Sequence, residues 1–174
     1  MMEPNVILVD EEDRPVGVAS KSEAHRDGLL HRAFSVFIFD REGKMLIHQR
    51  AADKYHSGGL WTNACCSHPR PGEETLDAAR RRLVEELGIS ADLSFLFSFL
   101  YQSELGEGIW EHEFDHVFVG EYEGPLEVNA GEVSDHRYES MENVRQGIEE
   151  TPEKYSTWFR LAFPKVFDWW KQRY

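Results

Sequence analysis

The sequence is short of cysteine, of lysine and of long apolar runs, and each shortage excludes something. Two cysteines in 174 residues cannot build a disulfide framework. They are also neighbours, Cys65 and Cys66, and adjacent Cα atoms lie about 3.8 Å apart, closer than a disulfide normally spans. No apolar stretch approaches the roughly 20 residues of a membrane helix. The opening Met1-Met2-Glu3-Pro4-Asn5 has neither the basic start nor the apolar core of a secretory signal. These absences predict a reduced, soluble, cytoplasmic protein with no membrane partner. Lysine supplies six of the nineteen basic residues, set against thirty-two acids, for a net charge of −13. A field of that sign repels nucleic acid, whose binding depends on bases that release phosphate counterions. Arginine in excess of lysine among so many acids is also a compositional hint of a salt-adapted source. A small anionic substrate remains compatible with this charge where the few bases converge in one pocket.

What is present suits one globular domain, residues 1–174. Hydrophobic residues make up 41% of the chain and aromatics 13%, enough for a core that needs no metal to fold. No repeat or linker divides it. Val6–Val9 and Val16–Ser20 around Asp10-Glu11-Glu12-Asp13-Arg14 read as a hairpin, and Ser22–Gly28 as a short polar element. Leu29–Asp40 and Met45–Arg50 read as strands. Asp53–Gly72, broken by Gly58, Gly59, Pro69 and Pro71, reads as a long loop, the kind that usually carries function. A helix over Thr75–Leu87, stopped by Gly88, follows from Leu76, Ala79, Leu83 and Leu87 on one stripe. Strands are predicted at Phe95–Tyr101, Ile109–Tyr122, Leu126–Asn129 and Val133–Tyr138, then a short helix at Glu142–Ile148. A tail helix is predicted from Thr151-Pro152, kinked at Pro164. The fold class is α+β or mixed α/β.

Three segments carry chemistry. Cys65 and Cys66 lie in the long loop beside His68, where a thiol with a tuned pKa can act as acid, base or nucleophile; a lone cysteine elsewhere is more often core. Glu111 and Glu113, two apart on a strand, share a face and repel unless something positive lies between them. With His25, His31 and His68 they make a His3Glu2 metal set, although by residue type His48, His56, His112, His116 and Asp115 are equally eligible. Glu85 and Glu86 end a helix, where the dipole disfavours acids. A bound cation would relieve that cost, as would pairing with Arg81 and Arg82.

Trp61-Thr62-Asn63, Cys66-Ser67-His68-Pro69 and Trp110-Glu111-His112-Glu113 together resemble the type I isopentenyl-diphosphate isomerases, over most of the chain from about Val6 to Trp158. Glu73…Arg81…Glu85-Glu86-x-Gly88-Ile89 is similar to the Nudix box, G-x5-E-x7-R-E-U-x-E-E-x-G-U, with Ser67 in place of its first Gly and Arg82 in place of the Glu after the Arg. Those departures favour isomerase over the alternative, a Nudix-type diphosphate hydrolase. The resemblance implies a Nudix-like α/β/α sandwich around a mixed β-sheet, and the conversion of isopentenyl to dimethylallyl diphosphate through a tertiary carbocation. It also implies one divalent metal (Zn2+, Mn2+ or Mg2+) on His25, His31, His68, Glu111 and Glu113. Cys66 and Glu113 become the acid/base pair, with Tyr101 bonded to Glu113, while Cys65 has no implied role. Lys21, Arg50, Lys54 and Arg82 would bind the diphosphate. A second cation, Mg2+, would sit with the diphosphate against Glu86 and Cys66. Trp61 and Trp158 would face the cation. The expected partner is a small diphosphate, the expected state a monomer or weak dimer.

Overall fold

The computed structural model describes residues 2–174. Its elements are β1 (Asn5–Val9), β2 (Pro15–Ser20), α1 (Lys21–Asp27), β3 (His31–Phe39), β4 (Met45–Arg50), β5 (Trp61–Thr62), β6 (Cys65–Ser67) and α2 (Thr75–Leu87). There follow β7 (Leu93–Gly106), β8 (Ile109–Glu121), β9 (Val133–Glu139), α3 (Met141–Glu150) and α4 (Thr157–Arg173). The strands form one mixed sheet. At its centre β3 runs parallel to β8 from His31 opposite Glu113 to Phe39 opposite Glu121. The other edge of β3 is shared by β1 at His31, by β6 over Phe34–Val36 and by β4 at Phe39. From there β4 diverges to pair with β5 and β9, and β7 pairs antiparallel to β8.

Strand alternation divides the apolar side chains between two cores. Phe34, Val36 and Ile38 pack with Ala79, Leu83 and Leu87 of α2 on one face. Phe37 and Phe39 pack with Phe159, Phe163 and Val166 of α4 and Val144 of α3 on the other. Helices thus cover both faces of a mixed sheet, as the sequence pattern predicts. Burying each such side chain contributes about 1.5–3 kcal/mol, so the helices are held by packing more than by propensity. Among the described residues, no helix is long and apolar enough to cross a membrane.

Four sequence expectations are corrected. The stretch 53–72 is not all loop, since β5 and β6 within it pair with β4 and β3. Leu126–Asn129 is not a strand; its amides serve the C-terminal end of α2, with Glu127 N donating to Leu87 O at 2.9 Å and Asn129 N to Glu86 O at 2.8 Å. These bonds satisfy carbonyls that a helix end leaves without partners. Gly88 permits the approach: it adopts φ +66°, and a Cβ there would lie 2.7 Å from Glu127 Cβ. The tail helix begins at Thr157 and not at Thr151, because Pro152–Lys154 make one separate 3-10 turn before Tyr155 and Ser156 turn extended. Ser156 N donates to Trp61 O at 2.9 Å, tying the start of α4 to β5. Finally, β7 runs on to Gly106, well beyond Tyr101.

Candidate active site

The face of β3 and β8 that meets α4 changes character along its length. Phe37, Phe39, Val117 and Val119 make its C-terminal half apolar, whereas His31 and Ser35 on β3 and Glu111, Glu113 and Asp115 on β8 make the N-terminal half polar and buried. The parallel register sets His31 beside Glu113 and Ser35 beside Val117, while β6 on the other side sets Cys66 beside Ser35. Helix α1, capped by Ser20 and ended by Gly28 at φ 65°, lays His25 over this half.

Five predicted ligands meet there. His31 Nε2 lies 3.2 Å from His68 Nε2 and 3.2 Å from Glu113 Oε2, and His68 Nε2 lies 2.7 Å from the same oxygen. His25 Nε2 and Glu111 Oε2 face each other at 3.5 Å, each buried and without a hydrogen-bond partner. Two backbone bonds fix the rings: His25 Nδ1 donates to Lys21 O at 2.7 Å and His31 Nδ1 to Leu29 O at 2.8 Å. In neutral rings this leaves both Nε2 lone pairs bare and aimed inward. Donor atoms of His25, His31 and His68 lie within 4.8 Å of one another, as do those of His31, Glu111 and Glu113. Bare lone pairs converging on an unpartnered carboxylate oxygen are what a divalent cation satisfies, and this mixed N/O set suits a borderline or hard ion.

Electrostatics agree with that geometry. Burial pushes Glu113 up, yet the His31 and His68 rings set against it overrule that and hold the carboxyl well below its usual range. Burial and Glu113 raise Glu111, but the His25 and His56 rings beside it leave it lowered. His68 is pulled down to about 4, chiefly by burial. Tyr101, buried beside Glu113, donates to its Oε1 and is pushed well above the usual phenol range by burial and that charge.

A cavity opens from this cluster toward the end of α2. Cys66 and Trp158 line it, and so do Lys21, Arg50, Lys54 and Arg82. Burial and then neighbouring Lys54 pull the Lys21 ammonium down. Among the described residues Lys21 and Arg50 form no ion pair with a carboxylate, whereas Lys54 pairs with Glu132. Arg82 bridges Glu85 at 2.7 Å and Glu86 at 2.6 Å. A buried Arg50 and a half-buried Lys21, neither in an ion pair, make this end of the cavity an anion site. The Cys66 thiol is pushed up to about 12, mainly by burial and in part against Arg50, whose Nη1 lies 3.8 Å from Sγ. Arg50 also lies 5.1 Å from the centroid of the Trp158 ring.

Other expectations are sorted by the same geometry. Cys65 sits in the α2-side core, fully buried, and does not line the cavity. Trp61 is not in the cavity wall either: Arg137 covers its ring at 4.3 Å, so it is removed from the substrate-facing set. His112 turns to Gly28 O at 2.9 Å, His116 to Asp13 Oδ2 at 2.8 Å and His48 to Ala64 O at 3.0 Å, all away from the cluster. Two groups that sequence reasoning left unassigned do join it. His56 Nε2 lies 2.9 Å from Glu111 Oε1, and Asp115 accepts from Ser35 Oγ at 2.8 Å beside Cys66. Asp115 shares the strand parity of Glu111 and Glu113, a signal available in the sequence. For His56 only its place in the long loop hinted at a role.

Comparison with known proteins follows the same direction. The NUDIX domain family matches residues 29–159. The chain is 48% identical over 166 residues to the isopentenyl-diphosphate Delta-isomerase of Pectobacterium atrosepticum, covering 95% of this chain and 93% of that one. It is 49% identical over 165 residues to isopentenyl-diphosphate Delta-isomerase 2 of Aromatoleum aromaticum, covering 95% and 87%. A solved structure from Deinococcus radiodurans superposes with a TM-score of 0.76 over 92% of this chain and 98% of its own, at 19% identity, a likeness of fold alone.

Proposed function

From the premise that the chain belongs to the isopentenyl-diphosphate Delta-isomerase family within the NUDIX fold, we propose how its residues divide the work. The enzyme is an isomerase that moves the double bond of isopentenyl diphosphate by one position to give dimethylallyl diphosphate. The reaction adds a proton at the terminal methylene carbon and removes one from the carbon two positions along, so nothing is gained or lost overall. Cys66 and Glu113 are the two groups that give and take these protons. A thiol held at about 12 keeps its proton at neutral pH and presents little thiolate to capture a carbocation. Glu113, held as a carboxylate by His31 and His68, is oriented through Tyr101 on its other oxygen. Positioned proton transfer of this kind contributes roughly 10²–10⁴-fold in rate.

Trp158 supports the tertiary cation between the two proton transfers, a cation–π contact worth up to about 2 kcal/mol where water is excluded. Lys21, Arg50, Lys54 and Arg82 hold the diphosphate. His25, His31, His68, Glu111 and Glu113 hold one divalent ion, Zn2+, Mn2+ or Mg2+, whose charge sets the acidity of the Glu113 carboxyl. Mg2+ bound with the diphosphate, beside Cys66, would use Glu86, which burial raises above its usual range and Arg82 partly restores.

One observation carries the reading: a thiol, an oriented carboxylate and two cations outside any ion pair open into a single cavity. The test incubates the purified protein with isopentenyl diphosphate and a divalent ion. Acid-labile allylic product without phosphate release is expected, and release of phosphate or diphosphate without allylic product would make the chain a hydrolase.

A further inference from the structure

The loop between β4 and β5 folds back on itself more tightly than a connection requires. Gly59 N donates to Arg50 O at 3.0 Å, Arg50 N to Leu60 O at 2.9 Å and Lys54 N to Ala51 O at 3.2 Å. Gly58 lies so close to Ala52 that a Cβ there would meet its carbonyl oxygen at 2.5 Å. Ser57 adopts φ +55°, a left-handed conformation that a non-glycine residue keeps only where its surroundings enforce it. A backbone held this firmly places one side chain, that of His56, which points inward and is largely buried.

His56 touches the centre from outside the five-residue set. Its Nε2 lies 2.9 Å from Glu111 Oε1, and its Nδ1 faces Ser57 Oγ at 3.4 Å. With the hydroxyl donating to Nδ1, the ring proton resides on Nε2 and is given to Glu111. That bond occupies Oε1 and leaves Oε2, which has no partner, turned toward His25 Nε2. The ring also stands edge-on to Trp158 at 5.9 Å and tilted against His25 at 5.3 Å, so it cannot swing freely. Its own carbonyl accepts from Arg50 Nη2 at 3.2 Å.

We infer that His56 is a positioning residue of the metal centre: by donating to Glu111 Oε1 it selects Oε2 as the oxygen presented to the ion. This deepens the metal reading above and rests on it. Groups that orient a ligating carboxylate from behind typically govern metal affinity by 10–100-fold. Substitution by Gln keeps an amide N–H of similar reach, whereas Ala removes the donor and leaves a buried carboxylate oxygen unpartnered.

The experiment measures Mn2+ retention by the purified protein in graded chelator, with metal content and electron paramagnetic resonance as readouts besides turnover. The parent is expected to keep one Mn2+ per chain. His56→Ala is expected to lose 10–100-fold in Mn2+ affinity while the metal-free protein still unfolds cooperatively. Its kcat should return toward the parent value as Mn2+ is raised, and His56→Gln should recover most of the affinity. Parent-like Mn2+ retention by folded His56→Ala overturns the inference alone. So does a His56→Gln protein that loses as much as the Ala variant, since a direct His56–metal bond would have that result. Should His56→Ala fail to fold, the Gln variant decides by itself. A parent that retains no Mn2+ overturns the metal centre together with this inference.

Discussion

The two halves of one sheet face make an instructive contrast. The same strands, β3 and β8, run parallel through both halves, with side chains alternating at the same period. In the C-terminal half Phe37, Phe39, Val117 and Val119 face α4 and every contact is apolar. In the N-terminal half the same positions of the repeat carry His31, Ser35, Glu111, Glu113 and Asp115, all buried. Burying carboxylates and imidazoles is unfavourable unless each is partnered, and Asp115 illustrates the strain: burial first, then Glu113, push its carboxyl well up. One half therefore supplies stability that the other half spends on reactivity, and damage to the two should be read by different instruments.

Metal removal should have the largest effect. Chelated protein, shown to be metal-free, is expected to lose measurable turnover while still unfolding cooperatively, because the apolar half is untouched. Full activity in the metal-free state would erase the distinction between the halves. Next comes the pair of cysteines on β6, whose side chains point to opposite faces. Single-turnover conversion should fall by roughly 10²–10⁴-fold in Cys66→Ala, and Cys65→Ala should stay within about tenfold while melting lower, as expected for a truncated core residue. Robust turnover by folded Cys66→Ala would remove the thiol from the acid/base pair.

The apolar half is probed by Phe39→Ala, where Trp169 lies 5.5 Å from the ring. Denaturant titration should show a loss of about 3–5 kcal/mol, with kcat per folded molecule close to the parent; a selective loss of kcat would mean that the halves are coupled. The smallest effect concerns a buried histidine outside the site. Burial, with Arg50 second, brings His48 from 6.5 down to about 4. Between those values the unfolded chain binds a proton that the folded chain refuses, so the contribution of His48 is intact above pH 6.5 and is lost as pH falls toward 4. Thermal melts of His48→Gln should accordingly fall less steeply over that window than those of the parent. An identical slope would assign the pH dependence to other groups.

Periodicity made most of the fold legible. The α2 boundaries, Thr75–Leu87, follow from its leucine and alanine stripe and Gly88, and the β3 strand from its run of Phe, Val and Ile. What periodicity missed depends on partners distant in sequence. Leu126–Asn129 has strand composition, but its amides are taken by the carbonyls of Glu86 and Leu87, a choice no local pattern records. Thr151-Pro152 has the chemistry of a helix start and makes only one 3-10 turn, since Ser156 is drawn to Trp61. At the site, same-face parity was enough to pair Glu111 with Glu113, whereas the choice of Cys66 over Cys65 came from the family resemblance. Trp61 and His56 were beyond reach, because their surroundings depend on where Arg137 and Glu111 arrive from other strands.

The parallel pairing of β3 with β8 also fixes when the site can come into being. Its two strands are separated by roughly eighty residues of chain, and closing a loop of that length costs entropy before any contact repays it. The hairpins β1–β2 and β7–β8 require no such closure. A chain emerging from the ribosome holds His25, His31, both cysteines and His68 long before Glu111 and Glu113 exist. Competence is thus a late event in synthesis, waiting first for β8 and then for Trp158 on α4. A fragment that stops short of that strand carries the imidazoles and thiols with no carboxylate to gather them.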